Sequence, residues 1–91
     1  MKRLEILEAA KDQVSGKRVN DYGKPEDNFG TIADLWSLYL DTPIKTSDVA
    51  IMMILLKVAR IKNGGGSGDS FVDIAGYAAC AGEISEICQK N

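Results

Sequence analysis

Residues 49–56 are eight consecutive apolar residues, and this run constrains the possible folds more than any other feature of the chain. Polar side chains return only with Lys57, Arg60 and Lys62. A segment that is apolar all round a helix is typical of a central, surrounded helix. A membrane span needs about 20 apolar residues, so the run is too short to cross a bilayer. We therefore predict a helix at the centre of the fold and no membrane partner.

Apolar residues recur at helical spacing in the rest of the chain. They predict helices over about residues 2–15, 25–41 and 69–88, beside the central helix over residues 47–62. Pro25 suits the first turn of a helix, and Pro43 disfavours helical geometry at the residue before it. Residues 16–24 and 64–68 are predicted loops. The chain is therefore expected to be one all-α domain over residues 1–91, with a compact four-helix arrangement.

The predicted helices also carry signals for their ends and for their packing. Thr46 or Ser47 is expected to cap the third helix, and Ser67 or Asp69 the fourth. The first helix is expected to bury one apolar stripe, formed by Leu4, Leu7, Ala10 and Val14. Gly76 and Gly82 lie inside the fourth helix, where glycine costs about 1 kcal/mol relative to alanine. We therefore expect another helix to approach that segment closely.

The apolar surface exceeds what four helices of this size can cover. The third predicted helix is apolar on every side and the fourth nearly so, which leaves two amphipathic helices to shield them. A domain of 91 residues also leaves a large part of its surface exposed. We therefore predict that the chain forms a homo-oligomer.

Composition excludes several classes of function. Lys and Arg number 11 against 13 Asp and Glu, which argues against broad nucleic-acid binding. The chain has no histidine, so histidine zinc sites, Ser-His triads and histidine general bases are excluded. Charges interrupt the N-terminal residues, unlike a signal peptide. Cys80 and Cys88 on one helix would lie about 12 Å apart, beyond disulfide reach. These features predict the cytoplasm.

Asp73 is the most informative polar position, because its neighbours in the predicted fourth helix are mostly apolar. A buried carboxylate without a partner is costly. Lys57 and Arg60 share one face of the preceding helix, and a short loop makes the two helices antiparallel neighbours. We therefore expect both cations to lie near Asp69 and Asp73. The cluster could be a structural ion-pair network, or a site for a phosphorylated ligand or a metal ion.

Two further features point to a ligand. Lys17, Arg18 and Tyr22 lie just before a predicted helix N-terminus, where cations and backbone N–H groups suit phosphate and an aromatic ring can stack on a base. Asp69 and Asp73 are four residues apart and could share Mg²⁺, although Asp69 is equally an ordinary helix cap. We assign no catalytic residue. The ligand-binding candidates are Lys17, Arg18, Tyr22, Lys57, Arg60, Asp69, Asp73 and Tyr77.

Several short motifs resemble those of a family of short helical proteins from phages and prophages. The motifs are DYG at 21–23, NF at 28–29, IADLW at 32–36, DVA at 48–50, LKVAR at 56–60 and DSFVDIAGYA at 69–78. The resemblance covers about residues 4–87, and its last motif is the most specific. It implies a phage or prophage origin, and hence the cytoplasm of a bacterial host, without implying an activity.

The acidic-aromatic helix is also similar to that of phage domains associated with nucleotide modification. A more distant similarity is to all-α nucleotide pyrophosphohydrolases of the MazG type. Those enzymes hold Mg²⁺ with a Glu-x-x-Glu pair on one helix and a Glu-x-x-Asp pair on the next. Neither pair is present at that spacing in this chain, which offers Glu26 with Asp27 and Asp69 with Asp73 instead.

Three functions are compatible with the sequence. The first is binding of a phosphorylated, nucleotide-like small molecule, for example to sequester a signalling nucleotide, with no cofactor. The second is Mg²⁺-dependent hydrolysis of a nucleotide, with Asp48, Asp69 and Asp73 holding the metal and Lys57 and Arg60 stabilising the leaving phosphate. The third is a structural or protein-interaction module whose charges fix the register of the helices.

Overall fold

A computed structural model describes residues 1–64 and 68–89, without the side chains of residues 17, 18, 88 and 89. The described residues form five helices: α1 (Arg3–Gln13), α2 (Lys17–Tyr22), α3 (Pro25–Leu40), α4 (Thr46–Lys62) and α5 (Gly68–Gln89). The all-α prediction is confirmed. None of the described helices is long and apolar enough to cross a membrane.

Helix α2 lies where a loop was predicted, so the expected count of four helices is wrong. Gly16 has φ of 61° and Gly23 has φ of 83°, a region that favours glycine. These two glycines separate a six-residue segment without glycine or proline from its neighbours. The backbone N–H of Gly23 donates to the carbonyl oxygen of Val19 at 2.8 Å, which closes the last turn. Gly16 precedes the short helix and Gly23 follows it, so the six residues between them adopt helical geometry as a separate element.

Helix α5 lies at the centre of the fold, and the prediction that α4 would be surrounded is wrong. Helices α1, α3 and α4 all contact α5, and α4 also packs against α3. Helix α5 buries Val72, Ala81 and Ile84, whereas α4 buries Val49 and Ala50. The remaining face of α4 stays exposed although it is apolar. An apolar sequence thus predicts what a helix can bury, but the neighbouring helices determine what it does bury.

The apolar stripe of α1 is buried over only part of its length. Ala10 is buried and Val14 is half-buried, but Leu4 and Leu7 are exposed. The predicted burial is therefore wrong for the first two turns. The second half of α1 contacts α5 near Gly76, where an added Cβ atom would lie 3.6 Å from the Val14 side chain. The expected close approach is thus found at Gly76.

Gly82 does not share this environment. It is exposed, and an added Cβ atom would meet nothing within 4 Å. The prediction that another helix packs against Gly82 is therefore wrong for the described residues.

The observed ends of the helices differ from the predicted caps. Helix α4 begins at Thr46, so Thr46 and Ser47 lie within its first turn. The carboxylate of Asp48 accepts a hydrogen bond of 2.9 Å from the backbone N–H of Lys45. Asp69 lies in the first turn of α5 and does not precede the helix. Ser67 lies outside the described residues. Acidic side chains in the first turn stabilise the positive end of the helix dipole.

Candidate ligand-binding cleft

A cleft of about 680 Å³ opens where all five helices meet. The ends of α1 and α2 and the beginning of α3 form one side, and α4 and α5 form the other. Its lining is Gln13, Val14, Val19, Tyr22, Gly23, Pro25, Asn28, Phe29, Thr31, Ile32, Lys57, Asp73, Gly76, Tyr77 and Cys80. Four of the eight predicted ligand-binding residues, Tyr22, Lys57, Asp73 and Tyr77, are therefore in one cavity.

Lys57 and Asp73 form an ion pair in the cleft wall. The Lys57 Nζ atom lies 3.0 Å from the Asp73 Oδ2 atom, and the two side chains are 13% and 25% exposed. Lys57 comes from α4 and Asp73 from α5, so the pair joins two neighbouring helices. The predicted proximity of these residues is confirmed. The pair leaves further donors on the ammonium group and a second carboxylate oxygen, so it presents both polarities to the cavity.

Aromatic side chains form the apolar part of the cleft. The rings of Phe29 and Tyr77 have centroids 6.0 Å apart and planes inclined by 39°. Both residues are half-buried, whereas Tyr22 is exposed. The side-chain amide of Asn28 donates to the carbonyl oxygen of Tyr22, which ties the end of α2 to the first turns of α3. The cleft therefore combines two tilted aromatic rings with an ion pair.

The remaining predicted site residues lie elsewhere. Arg60 and Asp69 are both exposed and do not line the cleft. Arg60 forms no ion pair with the described residues, so the expected four-residue cluster is reduced to Lys57 and Asp73. Arg60 shares a helix face with Lys57, but it lies one turn nearer the end of α4, where its side chain is exposed. The side chains of Lys17 and Arg18 lie outside the described part of the chain.

The chain matches the model of a domain of unknown function, DUF6378, over residues 5–85. It belongs to the DUF6378 family. The Gene 55 protein of Mycobacterium phage D29 is 49% identical over 81 residues, covering 89% of this chain and 54% of that protein. The Gene 55 protein of Mycobacterium phage L5 is 45% identical over 76 residues, covering 82% of this chain and 49% of that protein. No solved structure is significantly similar.

These relatives confirm the resemblance to phage proteins. The chain spans about half the length of the two relatives, so those proteins contain residues with no counterpart here. The region matched by the DUF6378 model includes every residue that lines the cleft.

The acidic residues of this DUF6378 domain are dispersed. Asp48 accepts the hydrogen bond at the start of α4, Asp73 pairs with Lys57, and Asp69 is exposed. Among the described residues, no three His, Cys, Asp or Glu side chains are grouped as a metal site would require.

Most of the residues that line the cleft are not among the predicted candidates, and two of these, Phe29 and Cys80, carry an aromatic ring and a thiol. The spacing of apolar residues in α3 predicts a packing role for Phe29, and the cysteine spacing bears only on disulfide formation by Cys80. The spacing along α5 could have identified Cys80. It lies seven residues after Asp73 and three after Tyr77, so the three residues share one face of the helix. No comparable signal marks Phe29, because its position opposite Tyr77 depends on how α3 and α5 cross.

The free thiol of Cys80 is half-buried in the cleft. Burial raises its pKa above the ordinary value of 9.0, and the negative charges of Glu83 and Glu26 act in the same direction. The thiolate is the nucleophile in alkylation, so a raised pKa lowers the reactive fraction near pH 8. This thiol is therefore poorly suited to nucleophilic chemistry.

We expect iodoacetamide to alkylate Cys80 more slowly in the folded protein than in urea at pH 8. A Cys88→Ser variant leaves Cys80 as the single thiol, and mass spectrometry follows the reaction. Above pH 9 the unfolded thiol loses its proton before the folded one, so Cys80 should destabilise the fold as the pH rises further. Equal alkylation rates with and without urea would contradict a raised pKa.

Proposed function

We propose that this domain binds a phosphorylated, nucleotide-like small molecule in the cleft and releases it unchanged. The observation that carries the proposal is the placement of an aromatic pair and an ion pair in one cavity of about 680 Å³. Small-molecule sites typically enclose about 300–1,000 Å³, with mostly apolar walls and a few polar groups that orient the ligand. The volume falls within that range, and the lining combines aromatic and aliphatic side chains with a nearly equal share of polar groups.

The aromatic side of the cleft would hold the base. Tyr77, Phe29 and Tyr22 all line the cavity, and Tyr22 is the exposed one of the three. Stacking of a base on an aromatic side chain contributes about 1–3 kcal/mol and depends little on the identity of the base. This side of the cleft supports binding of a nucleotide-like molecule without specifying which base it carries.

The polar side would orient the ligand. Lys57 can donate to a phosphate or a ring carbonyl, and Asp73 can accept from a ring N–H or a ribose hydroxyl. Their mutual pairing reduces the net charge that a phosphate meets there, so we assign most of the phosphate binding to Lys17 and Arg18. These two residues directly precede Val19, which lines the cleft. In a phage protein such binding could withdraw a signalling nucleotide in the cytoplasm of the host.

The first experiment is a nucleotide panel that includes cyclic species, incubated with the purified protein with and without Mg²⁺. The filtrate is chromatographed before and after heat denaturation of the protein. We expect one nucleotide to disappear from the filtrate and to return unchanged on heating. A product formed only with Mg²⁺ would establish a pyrophosphohydrolase-like enzyme instead. If no nucleotide in the filtrate changed, the domain would be a structural or protein-interaction module.

Replacing Tyr77 with leucine should weaken binding of the captured nucleotide by about tenfold or more, because a stacking surface is lost while the bulk is kept. The matched control is Tyr39→Leu, since Tyr39 is exposed on α3 and lies outside the cleft. Isothermal titration calorimetry measures both affinities. Equal affinities of the two variants would exclude Tyr77 as a base platform.

A further inference from the structure

The outward face of α4 is apolar over about two and a half turns, from Ile51 to Ala59. Ile51, Met52, Leu55, Leu56 and Val58 are all exposed, and together with Ala59 they form a surface that we call the α4 face. Leu55, at its centre, is 61% exposed. Single exposed apolar residues are ordinary, but a contiguous patch of about 400 Å² or more usually marks an interaction site. The opposite face of α4 already packs against α5 and carries Lys57 to the cleft.

We propose that the α4 face binds the α4 face of a second copy of this chain, antiparallel and about a two-fold axis at Leu55. A two-fold interface must be self-complementary, because the same surface is used on both subunits. Residues that lie on the same side of the seam, at nearly equal distances before and after Leu55, then meet across the axis. Ile51 lies against Val58 of the second copy, Met52 against Ala59, and Leu55 against itself. Large side chains therefore meet smaller ones on each side of the axis.

Charge at the ends of α4 identifies a second copy as the occupant. Asp48 lies seven residues before Leu55 and Lys62 seven residues after it, so all three share one face of the helix. Antiparallel pairing places Asp48 of each copy beside Lys62 of the other. A parallel arrangement would instead place like charges together at both ends.

The exposed apolar residues of α3 are less suited to self-association. Leu35, Leu38 and Tyr39 are exposed, but they lie between Asp34 and Asp41 at the end of that helix. Two copies of this surface would bring carboxylates together without a cation between them. The exposed surface of α3 therefore has negative charges at both ends, whereas the α4 face has a negative charge at one end and a positive charge at the other.

The mass of the chain in solution tests this pairing. By analytical ultracentrifugation, we expect the protein to sediment as a dimer and Leu55→Asp to sediment as a monomer with an unchanged helical circular-dichroism spectrum. The dissociation constant should rise by about tenfold or more, as when a central interface residue is lost. Leu7→Asp is the matched control, because Leu7 is 59% exposed on α1 and should leave the dimer intact.

A cross-linking experiment tests the position of the axis. In a Cys80→Ser, Cys88→Ser background, Leu55→Cys should form a disulfide-linked dimer on mild oxidation, because a residue on a two-fold axis meets its own copy. Leu7→Cys in the same background should stay monomeric on a non-reducing gel.

Two results would overturn the proposal. One is a monomeric wild-type protein at concentrations well above the micromolar range. The other is a dimer that persists unchanged in Leu55→Asp, which would place the contact on another surface.

Discussion

Ile84→Ala is expected to lower the free energy of unfolding by about 3 kcal/mol, since large-to-small substitutions in a core remove apolar contacts and leave a cavity. Ile84 is 2% exposed and is one of the two largest fully buried side chains among the described residues. It lies on α5, the helix that the others contact. Domains of this size are only marginally stable, so the loss should leave a substantial unfolded population at 37 °C.

Chemical denaturation followed by circular dichroism measures the change. Ile87→Ala is the matched control, because Ile87 lies one turn further along α5 and is 41% exposed. It should cost about 1 kcal/mol or less, since surface substitutions seldom have large effects. If the two variants lost similar stability, Ile84 would contribute no more to the core than the exposed Ile87.

Lys57→Ala is expected to lower the free energy of unfolding by about 2 kcal/mol, because it leaves the Asp73 carboxylate without its partner. Breaking a fully buried ion pair costs about 3–5 kcal/mol, and the partial exposure of this pair reduces that figure. Arg60→Ala, one turn further along the same helix, should change stability by less than about 0.5 kcal/mol because Arg60 is exposed and outside the cleft.

The double variant Lys57→Met, Asp73→Leu separates loss of the pair from loss of a binding group. Replacing both charges with apolar side chains of similar size should recover most of the stability. If the ion pair orients the ligand, the double variant should not bind the nucleotide although it is stable. Recovery of stability together with unaltered binding would show that the pair acts only between the helices.

Local patterns predicted the helices well. The apolar spacing and the positions of Pro25 and Pro43 define segments whose observed ends lie within two residues of those expected for α1, α3, α4 and α5. The proximity of Lys57 and Asp73 was also accessible, because the connection between α4 and α5 is short. The segment over residues 16–24 is predicted as a loop, because Gly16 is a plausible end for the preceding helix, but residues 17–22 form α2.

Tertiary structure alone decided which surfaces are buried. The sequence shows that α4 is apolar on all sides, yet its position against α5 and α3 leaves the α4 face exposed. Leu4 and Leu7 follow the same helical pattern as Ala10 but extend beyond the contact with α5. Periodicity is a property of one helix, whereas burial depends on a second helix that the periodicity does not specify.

The cleft shows the same division. The sequence by itself determined that the chain is helical and that Lys57 on α4 lies close to Asp73 on α5. It also identified Tyr22 and Tyr77, which both line the cleft. It could not place Phe29 opposite Tyr77, nor direct Arg60 and Asp69 away from the cavity. These placements depend on the crossing and rotation of five helices, which are fixed by side-chain packing between elements distant in the chain.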